Sequence, residues 1–320
     1  MNLLILSAGT RNKIVQYFKK ELGGAGSVIA TDCSELAPAI YEADKYYIVS
    51  PMIAEGYLEE IFDICKKENI GAVLSLIDPE LSLLAKYKQE FLDLGVLPIV
   101  SDYNAVELCF DKFKMFRFLQ ENGFAAAKSY LERSKFYHDL ENNEIAFPVF
   151  IKPVKGSASI NISKVNTKDE IEILFQQHDN LMIQEFMDGT EYGADVYIDM
   201  ISGEITAAFI KEKIKMRAGE TDKSVSVKDE KLVRLICEFV KKTGLKGVID
   251  IDIFKIDGTY YISEVNPRFG GGYPHAYESG VNIPKLIIDN VNGRIGQNQI
   301  GTYEEGIYMM KYNEITIMRK

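Results

Sequence analysis

The sequence predicts a mixed fold, α/β in its first third and α+β in the remainder. Residues 1–103 alternate short apolar runs with amphipathic stretches, the pattern of a doubly wound parallel sheet. Residues 188–320 contain longer strand-like runs joined in hairpins, which predicts a largely antiparallel sheet. Short strand-like runs around one helical stretch in residues 125–187 predict a small α+β unit. With 320 residues, 47% of them hydrophobic, the chain is long enough for two or three packed units.

Composition excludes several classes of protein. The formal net charge is −10 at pH 7, and no run of Lys and Arg indicates a nucleic-acid-binding face. The four cysteines are widely spaced without a C-x-x-C pair, so neither a zinc site nor a disulfide framework is expected. The first nine residues lack the charged region of a signal peptide, and no apolar stretch is long enough to span a membrane. We therefore expect a soluble cytoplasmic protein that binds neither nucleic acid nor membrane.

The elements of the first third follow from its periodicity. Two stretches, NKIVQYFKKEL and EGYLEEIFDICKKEN, have the spacing of amphipathic helices. Five apolar runs are predicted to be buried parallel strands: LLILS, SVIATD, YYIVS, AVLSLID and LPIVSD. Ligands of such sheets bind beyond the carboxyl ends of the strands. The segments that fall there are SAGTR (7–11), Asp32 and DPE (78–80). Because SAGTR lacks G-x-G-x-x-G, no dinucleotide site is expected.

The remaining elements are predicted in the same way. One long helix, AVELCFDKFKMFRFLQENG, is predicted over residues 105–123. Four short strands are predicted around the helix KDEIEILFQQ: SYLER, FPVFIKP, INISKV and LMIQEFM. In the C-terminal third, long strands alternate with the helices KDEKLVRLICEFVKKTG and NIPKLIIDNVNG.

An unusual set of polar residues stands in the run IDIDIFKIDGTYYISEVNPRFGGG (249–272). Glu264, Asn266 and Arg268 occupy every second position of an extended segment and so share a face. An acid, an amide and a guanidinium suit a metal ion with a phosphate better than they suit a core, since carboxylate and amide oxygens are the hard ligands that Mg²⁺ prefers. The alternative, a solvated face of an edge hairpin, explains the acids but not Pro267, Arg268 and the three glycines that follow.

The register of this hairpin decides which acids lie together. A three-residue loop at 257–259 would place Asp252 opposite Glu264 and Asp250 opposite Asn266, because directly opposed residues share a face. A two-residue turn would send Glu264 to the isoleucine-lined face, where an unpaired carboxylate is costly. We therefore expect the three-residue loop, with the isoleucines in the core and the acids on the other face.

The segment ISEVNPR resembles the metal-binding signature of the ATP-grasp enzymes and is most similar to the synthetase modules of the carbamoyl phosphate synthetase large chain. The resemblance covers nearly the whole chain as a single module. It implies a Rossmann-like (pre-ATP-grasp) domain at 1–103, a linking helix with a lid subdomain at 104–187, and a C-terminal catalytic subdomain at 188–320. It also implies a site for Mg²⁺, with Mn²⁺ as an alternative metal, whose ligands are Asp252, Glu264 and Asn266.

Further segments resemble the nucleotide site of this family. DKFKMFRFL (111–119) and FPVFIKP (147–153) resemble its phosphate-binding helix and strand, KGSAS (155–159) its phosphate-covering loop, and IQEFMDGTEYGADV (183–196) its adenine hinge. The implied ATP contacts are Lys112 and Lys152 at the phosphates, Gly156 and Ser157 in the loop, Glu185, Phe186 and Met187 at the adenine, and Glu191 at the ribose. A lysine inside an apolar strand itself suggests an anionic ligand. Taken alone, the first segment is better explained as a surface helix. The alternative for the last segment is two strands around a tight turn with exposed acids, but its order relative to Lys152 and Glu264 favours the hinge.

The catalytic groups are implied by the same resemblance. Arg268 is implied to contact the γ-phosphoryl group or the acyl phosphate. The segment KIKMRAGETDK (213–223) is predicted to be a polar loop leaving a strand. In it, Arg217 and Lys223 are candidates to bind an acidic substrate or the transferred phosphate, and a solvated loop is an equally good explanation. The acids implied to lie near the acceptor are Asp32, Asp78 and Glu80.

Together these features predict an ATP- and Mg²⁺-dependent, ADP-forming carboxylate–amine ligase. Its expected partners are a small-molecule carboxylate and an amine, and a homodimer is left open. Two alternatives are carried forward: phosphorylation of bicarbonate or carbamate, as in carbamoyl phosphate synthetase, and a nucleotide-binding subunit without turnover. The simultaneous presence of Asp252, Glu264, Asn266 and Arg268 argues against a subunit that has lost turnover.

Overall fold

The computed structural model of the protein describes residues 1–156 and 162–319. The strands of the N-terminal sheet are β1 (Asn2–Leu6), β2 (Val28–Asp32), β3 (Lys45–Ile48), β4 (Ile70–Ser75) and β5 (Leu97–Pro98). They run parallel in the order β3-β2-β1-β4-β5, which confirms the predicted parallel sheet. β1 lies at the centre, and its side chains from Leu3 to Leu6 are almost completely buried, as expected for a strand covered on both faces.

Helices cover this sheet and connect its strands. They are α1 (Asn12–Leu22), a short 3₁₀ segment (Pro38–Glu42), α2 (Tyr57–Lys67), α3 (Asp78–Lys86) and α4 (Lys88–Asp93). The strand order reverses between β1 and β4, which opens a crevice beyond their carboxyl ends. Residues 7–11 follow β1, and α3 begins at Asp78 after β4, so both predicted polar segments lie at this crevice.

The single helix predicted over 105–123 is wrong, because two helices form there. They are α5 (Tyr103–Phe110) and α6 (Lys112–Glu121). Asp111 between them has an extended backbone, and its carboxylate accepts a hydrogen bond from Lys114 N at 2.9 Å. An aspartate at this position caps the second helix and interrupts the first. The break lets Lys112 N donate to Val154 O at 2.9 Å, which ties the start of α6 to the lid.

The small α+β unit, predicted to be the lid and called so below, is a four-stranded antiparallel sheet with two helices. Its strands are β6 (Ser129–Tyr130), β7 (Val149–Pro153), β8 (Ser163–Val165) and β9 (Leu181–Glu185), in the order β6-β9-β7-β8. Its helices are α7 (Arg133–Glu141) and α8 (Lys168–Gln177). The strand predicted over SYLER ends at Tyr130, because the chain turns into α7 to bury Phe136. Thr167 and Glu170 start α8 with a reciprocal capping box.

The C-terminal sheet is six-stranded and antiparallel throughout its described pairings, which confirms the prediction. Its strands are β10 (Thr190–Ile198), β11 (Ile205–Arg217), β12 (Glu220–Ser226), β13 (Gly247–Ile256), β14 (Thr259–Asn266) and β15 (Tyr308–Met310). The order is β14-β13-β10-β11-β12-β15. Its helices are α9 (Glu230–Thr243), α10 (Tyr273–Glu278) and α11 (Ile283–Val291).

The polar loop predicted over 213–223 is wrong, since these residues continue β11 and β12 as a hairpin. Ala218 and Gly219 turn the chain, both with positive φ. A polar hairpin tip has no buried apolar face, so the alternation that marks strands elsewhere in the sheet is missing from the sequence here.

The N-terminal and C-terminal sheets share a continuous apolar core. Tyr17 on α1 stacks on Tyr277 of α10 with ring centroids 3.7 Å apart, and Phe18 packs edge-on against Phe269 at 6.0 Å. This contact holds the crevice beyond β1 against the segment that follows β14. No helix within residues 1–156 and 162–319 has the length and apolarity to cross a membrane.

Candidate active site

The β13–β14 hairpin brings the predicted acids together. Asp252 pairs with Glu264 and Asp250 with Asn266, as expected from the sequence. Ile249, Ile251 and Ile253 are fully buried on the opposite face. The predicted separation of an isoleucine face from an acidic face is therefore confirmed.

The three-residue loop predicted at 257–259 is wrong. Asp257 and Gly258 form a two-residue turn, both with positive φ, and the residues on either side of them pair. The register shifts instead within β14, where Ser263 is an extra residue between the Asp252–Glu264 pair and the next pair. A β-bulge of this kind returns the following residue to the intended face. Asp-Gly is a preferred two-residue turn, so the sequence signal was present.

The oxygen ligands on this face suit a hard cation. Within the described residues, the side chains of Glu264 and buried Asn266 make no hydrogen bond or ion pair. Burial, together with the nearby carboxylates of Asp252 and Asp195, raises the pKa of Asp250. In the described part of the chain no group of three or more His, Cys, Asp or Glu side chains is placed to hold a metal, so the candidate set is two carboxylates and one amide. These groups fit Mg²⁺, which keeps several waters and binds few protein ligands.

Lys213 is a site residue that the sequence reasoning missed. Its ammonium group lies 2.9 Å from Glu191 Oε1 and 2.5 Å from Asp252 Oδ1, and its side chain is only 4% exposed. The two carboxylates and the hydrogen bond to Asp252 raise its pKa against the opposing effect of burial. It reaches from β11 across β10 to β13. Gly193 was the signal available in the sequence, because the lack of a side chain there leaves room for the Lys213 side chain. A Cβ at Gly193 would lie 3.1 Å from Lys213 Cε.

The three glycines after Arg268 are explained by close approaches of charged side chains. A Cβ at Gly270 would lie 2.4 Å from the Asp250 carboxyl carbon. One at Gly271 would lie 2.6 Å from the Glu220 carboxyl carbon, and one at Gly272 would lie 2.9 Å from Lys211 Cε. Such distances exclude a side chain at each position unless these groups move.

The lysines predicted to bind phosphates lie near this face. Lys152 on β7 is 6% exposed, and within the described residues its ammonium group has no hydrogen-bonding or ion-pair partner. Burial lowers its pKa to about 8, although Glu264 and Asp252 act in the opposite direction. Lys112 donates to Gly156 O. Ser157, the other predicted loop contact, lies outside the described residues, as do positions 158 and 159.

The predicted adenine hinge follows β9. Glu185 does not point freely into the site, because its carboxylate accepts from Lys128 N at 3.0 Å. The Phe186 ring lies 5.5 Å from the ring of Phe150 and 3.8 Å from the ammonium group of Lys164. Met187 is buried. The backbone after β9 and the ring of Phe186 are the features that an adenine could contact.

Arg268 joins the two halves of the protein. Its Nε and Nη2 atoms lie 3.0 and 2.9 Å from Asp78 Oδ2, and Asp78 belongs to the crevice of the N-terminal sheet. The other two acids predicted near the acceptor have internal partners. Asp32 accepts from Gly9 N at 2.9 Å, and buried Glu80 accepts from three hydroxyl groups. Burial raises the pKa of Glu80.

The structure does not bring Arg217 and Lys223 to this cluster. Both are exposed, and Arg217 Nη2 lies 3.4 Å from Asn313 Oδ1. The hairpin instead contributes Glu220, which lies 2.7 Å from Arg11 and 2.8 Å from Lys311. Arg11 follows β1, so this ion pair closes the crevice from the other side.

Two parts of the chain match models of known protein families. Residues 3–99 match the family model "PylC-like, N-terminal domain", and residues 109–272 match that of the ATP-grasp domain. The chain is 26% identical over 322 residues to a carbamoyl-phosphate synthase of Methanobrevibacter smithii, covering 95% of this chain and 84% of the relative.

Two further proteins are similar to this chain. A D-alanine–D-alanine ligase of Phocaeicola vulgatus is 35% identical over 116 residues, which are 34% of this chain and 36% of that enzyme. The crystal structure of an L-amino acid ligase from Bacillus licheniformis superposes with a TM-score of 0.70 at 19% identity, covering 91% of this chain and 73% of that one, and so shows the fold. The ATP-grasp match spans just over half of the chain and contains the acidic hairpin, Lys112, Lys152 and Arg268. The chain therefore belongs to the ATP-grasp family.

Proposed function

We propose that the protein is an ATP- and Mg²⁺-dependent ligase that activates a carboxylate as an acyl phosphate for attack by an amine. The observation that carries this proposal is the buried Lys152, which has no partner within the described residues and lies near the charges of Glu264 and Asp252. In the same part of the chain, the side chains of Glu264 and Asn266 also make no hydrogen bond or ion pair. Unpaired buried charge is costly unless a ligand neutralises it. Mg²⁺ would neutralise the acidic side chains, and the nucleotide phosphates would neutralise the lysine.

The reaction divides into two balanced steps. A carboxylate oxygen bonds to the γ-phosphorus while the bond from that phosphorus to the bridging oxygen breaks, giving an acyl phosphate and ADP. The amine nitrogen then bonds to the acyl carbon, inorganic phosphate leaves with the C–O electron pair, and the nitrogen loses a proton. The residues contribute by positioning the phosphates and spreading their charge.

Each group has an assigned part. Lys112 and Lys152 bind the phosphates, and Arg268 binds the γ-phosphoryl group or the acyl phosphate beside Asp78. The residues that would hold Mg²⁺ are Asp252, Glu264 and Asn266. When bound, the ion neutralises charge on the phosphate oxygens. The backbone around Phe186 and Met187 receives the adenine, and Glu191 the ribose.

The proposed division of labour follows the three predicted units. Residues 1–103 face the carboxylate, 104–187 cover the nucleotide, and 188–320 hold the metal. The D-alanine–D-alanine and L-amino acid ligases among the similar proteins favour formation of an amide bond to an amino acid. A second candidate, phosphorylation of bicarbonate or carbamate, is favoured by the nearly full-length similarity to a carbamoyl-phosphate synthase.

A substrate screen separates these reactions. The protein is incubated with Mg-ATP and pairs of amino acids, and in parallel with bicarbonate and ammonia, while released ADP is measured and products are identified by mass spectrometry. ADP release that needs both a carboxylate and an amine supports the ligase. ADP release in the mixture of bicarbonate and ammonia, without an amino acid, supports the second candidate. Nucleotide binding without ADP release in any mixture would contradict both reactions and favour a binding subunit.

A further inference from the structure

Two lysines of β11 lie on the acidic face of the C-terminal sheet. Lys211 forms an ion pair with Asp195, and both side chains are almost fully buried. Lys213, two residues further along the strand, forms ion pairs with both Glu191 and Asp252. The first pair is self-contained, whereas the second joins the acid assigned to the ribose to an acid assigned to the metal.

The pairing of the strands explains how Lys213 reaches Asp252. Gly193 of β10 pairs with Lys211 on one side and with Asp252 on the other, so β10 has no side chain at the position between β11 and Asp252. A Cβ at Gly193 would lie 3.0 Å from Lys211 Cε and 3.1 Å from Lys213 Cε. The gap allows Lys213 to lie across β10 with its ammonium group at the metal-binding acid.

The position of this ammonium group has opposite consequences for two ligands. It neutralises Asp252, so a bare divalent cation approaching that carboxylate meets a positive charge a few ångströms away. A nucleotide bound between Glu191 and Asp252 brings phosphate charge to the same place, and the ammonium group then attracts it.

We infer that Lys213 is a positioning residue that makes the site select the metal–nucleotide complex over the bare metal ion. The inference rests on the proposed nucleotide site. In the ligand-free protein, Lys213 holds Asp252 and Glu191 in place and takes the position of the missing positive charge. When the metal arrives with a nucleotide, the phosphates compensate the repulsion between the ion and Lys213. Because the effects are reciprocal, nucleotide and metal increase each other's affinity.

Mn²⁺ and ADP are suitable probes because neither depends on the unknown substrates. Binding of Mn²⁺ alone is followed by loss of the free-ion EPR signal, and binding of ADP with Mn²⁺ by calorimetry. Lys213→Met removes the charge and keeps a similar length. We expect its affinity for bare Mn²⁺ to rise about tenfold and its affinity for ADP with Mn²⁺ to fall about tenfold.

Two further variants keep the test decisive. Lys213→Gln also removes the charge but can donate hydrogen bonds to both acids, so it should behave like Lys213→Met even where the methionine variant folds poorly. Lys215→Met is the matched control: Lys215 lies on the same strand, is exposed, and has no ion pair within the described residues. It should change neither affinity. Thermal melting without ligand establishes that each variant is folded.

The outcomes are distinguishable. Opposite shifts in the two affinities for both Lys213 variants support the inference. An unchanged or lower affinity for bare Mn²⁺ in both variants, while the wild-type protein binds ADP with Mn²⁺, overturns the role of Lys213 and leaves the proposed function intact. Absence of ADP binding by the wild-type protein overturns the proposed function.

Discussion

Two buried lysines in different parts of the molecule have different surroundings. Lys211 in the C-terminal sheet lies against the carboxylate of Asp195, and neither side chain is more than 2% exposed. Lys152 in the lid is 6% exposed and lacks such a partner within the described residues. A buried charge that the chain neutralises itself contributes to the fold, whereas one that it leaves unpaired indicates a ligand of opposite sign. The acids differ in the same way: Asp195 forms an ion pair with Lys211, whereas Glu264 has no such partner within the described residues.

The largest effect is expected at Glu264, which has no partner in the described part of the chain. Glu264→Gln keeps the shape of the side chain but removes charge from the proposed metal site, so turnover should fall about 100-fold or more. The free energy of unfolding should stay the same or rise, because repulsion with Asp252 is relieved. ADP release and chemical denaturation measure the two quantities. Near-normal turnover in Glu264→Gln would remove this residue from the site.

The opposite pattern is expected for the paired group. Asp195→Ala leaves the Lys211 charge buried and unpaired, so the free energy of unfolding should fall by about 3–5 kcal/mol. Glu121→Ala is the control, since it removes an exposed ion pair to Arg117 and should cost less than about 0.5 kcal/mol. Urea denaturation measures both. A loss below about 1 kcal/mol for Asp195→Ala would show that the comparison between the two lysines does not hold.

Lys152→Met should separate binding from stability. Removing a charge-assisted contact to phosphate weakens ADP binding by about 10- to 100-fold. The protein without nucleotide should be as stable as the wild type or more stable, because the variant removes a buried charge that has no partner within residues 1–156 and 162–319. Calorimetry with Mg-ADP and thermal melting without ligand test the two parts. A strongly destabilised variant with unchanged ADP affinity would assign Lys152 to the fold.

The smallest effect concerns pH. Burial lowers the pKa of Lys152 to about 8, while Glu264 and Asp252 favour the charged form and Lys112 opposes it. Phosphate binds the protonated lysine, so ADP affinity should be constant below pH 7 and weaken as pH rises through 8, by up to about tenfold at pH 9. Lys152→Met should show no such loss between pH 7 and 9. An equal loss in the variant would assign the titration to another group.

The sequence predicted the sheets and the acid pairs because both depend on alternation of apolar and polar residues. The Asp252–Glu264 pairing was correct although the loop was wrong, since the isoleucine face fixes the register and a bulge at Ser263 replaces the longer loop. The helix break at Asp111 was missed because apolar periodicity continues across it, and only the capping hydrogen bond to Lys114 interrupts it.

Other parts of the site depend on contacts between distant segments. Lys213 on β11 contacts Glu191 on β10 and reaches Asp252 on β13 across Gly193. Glu220 contacts Arg11 across the domain junction. None of these contacts has a local pattern in the sequence. Arg217 and Lys223 were selected for their charge, but the hairpin directs them toward solvent.

The most direct test of the central claim is thermal melting of the wild-type protein with and without millimolar Mg-ATP. A ligand that binds only the folded state raises its stability by mass action. If Lys152, Glu264 and Asn266 form a site for Mg-nucleotide, the melting temperature should rise with Mg-ATP and rise much less in Lys152→Met. Identical melting curves with and without Mg-ATP would contradict the account.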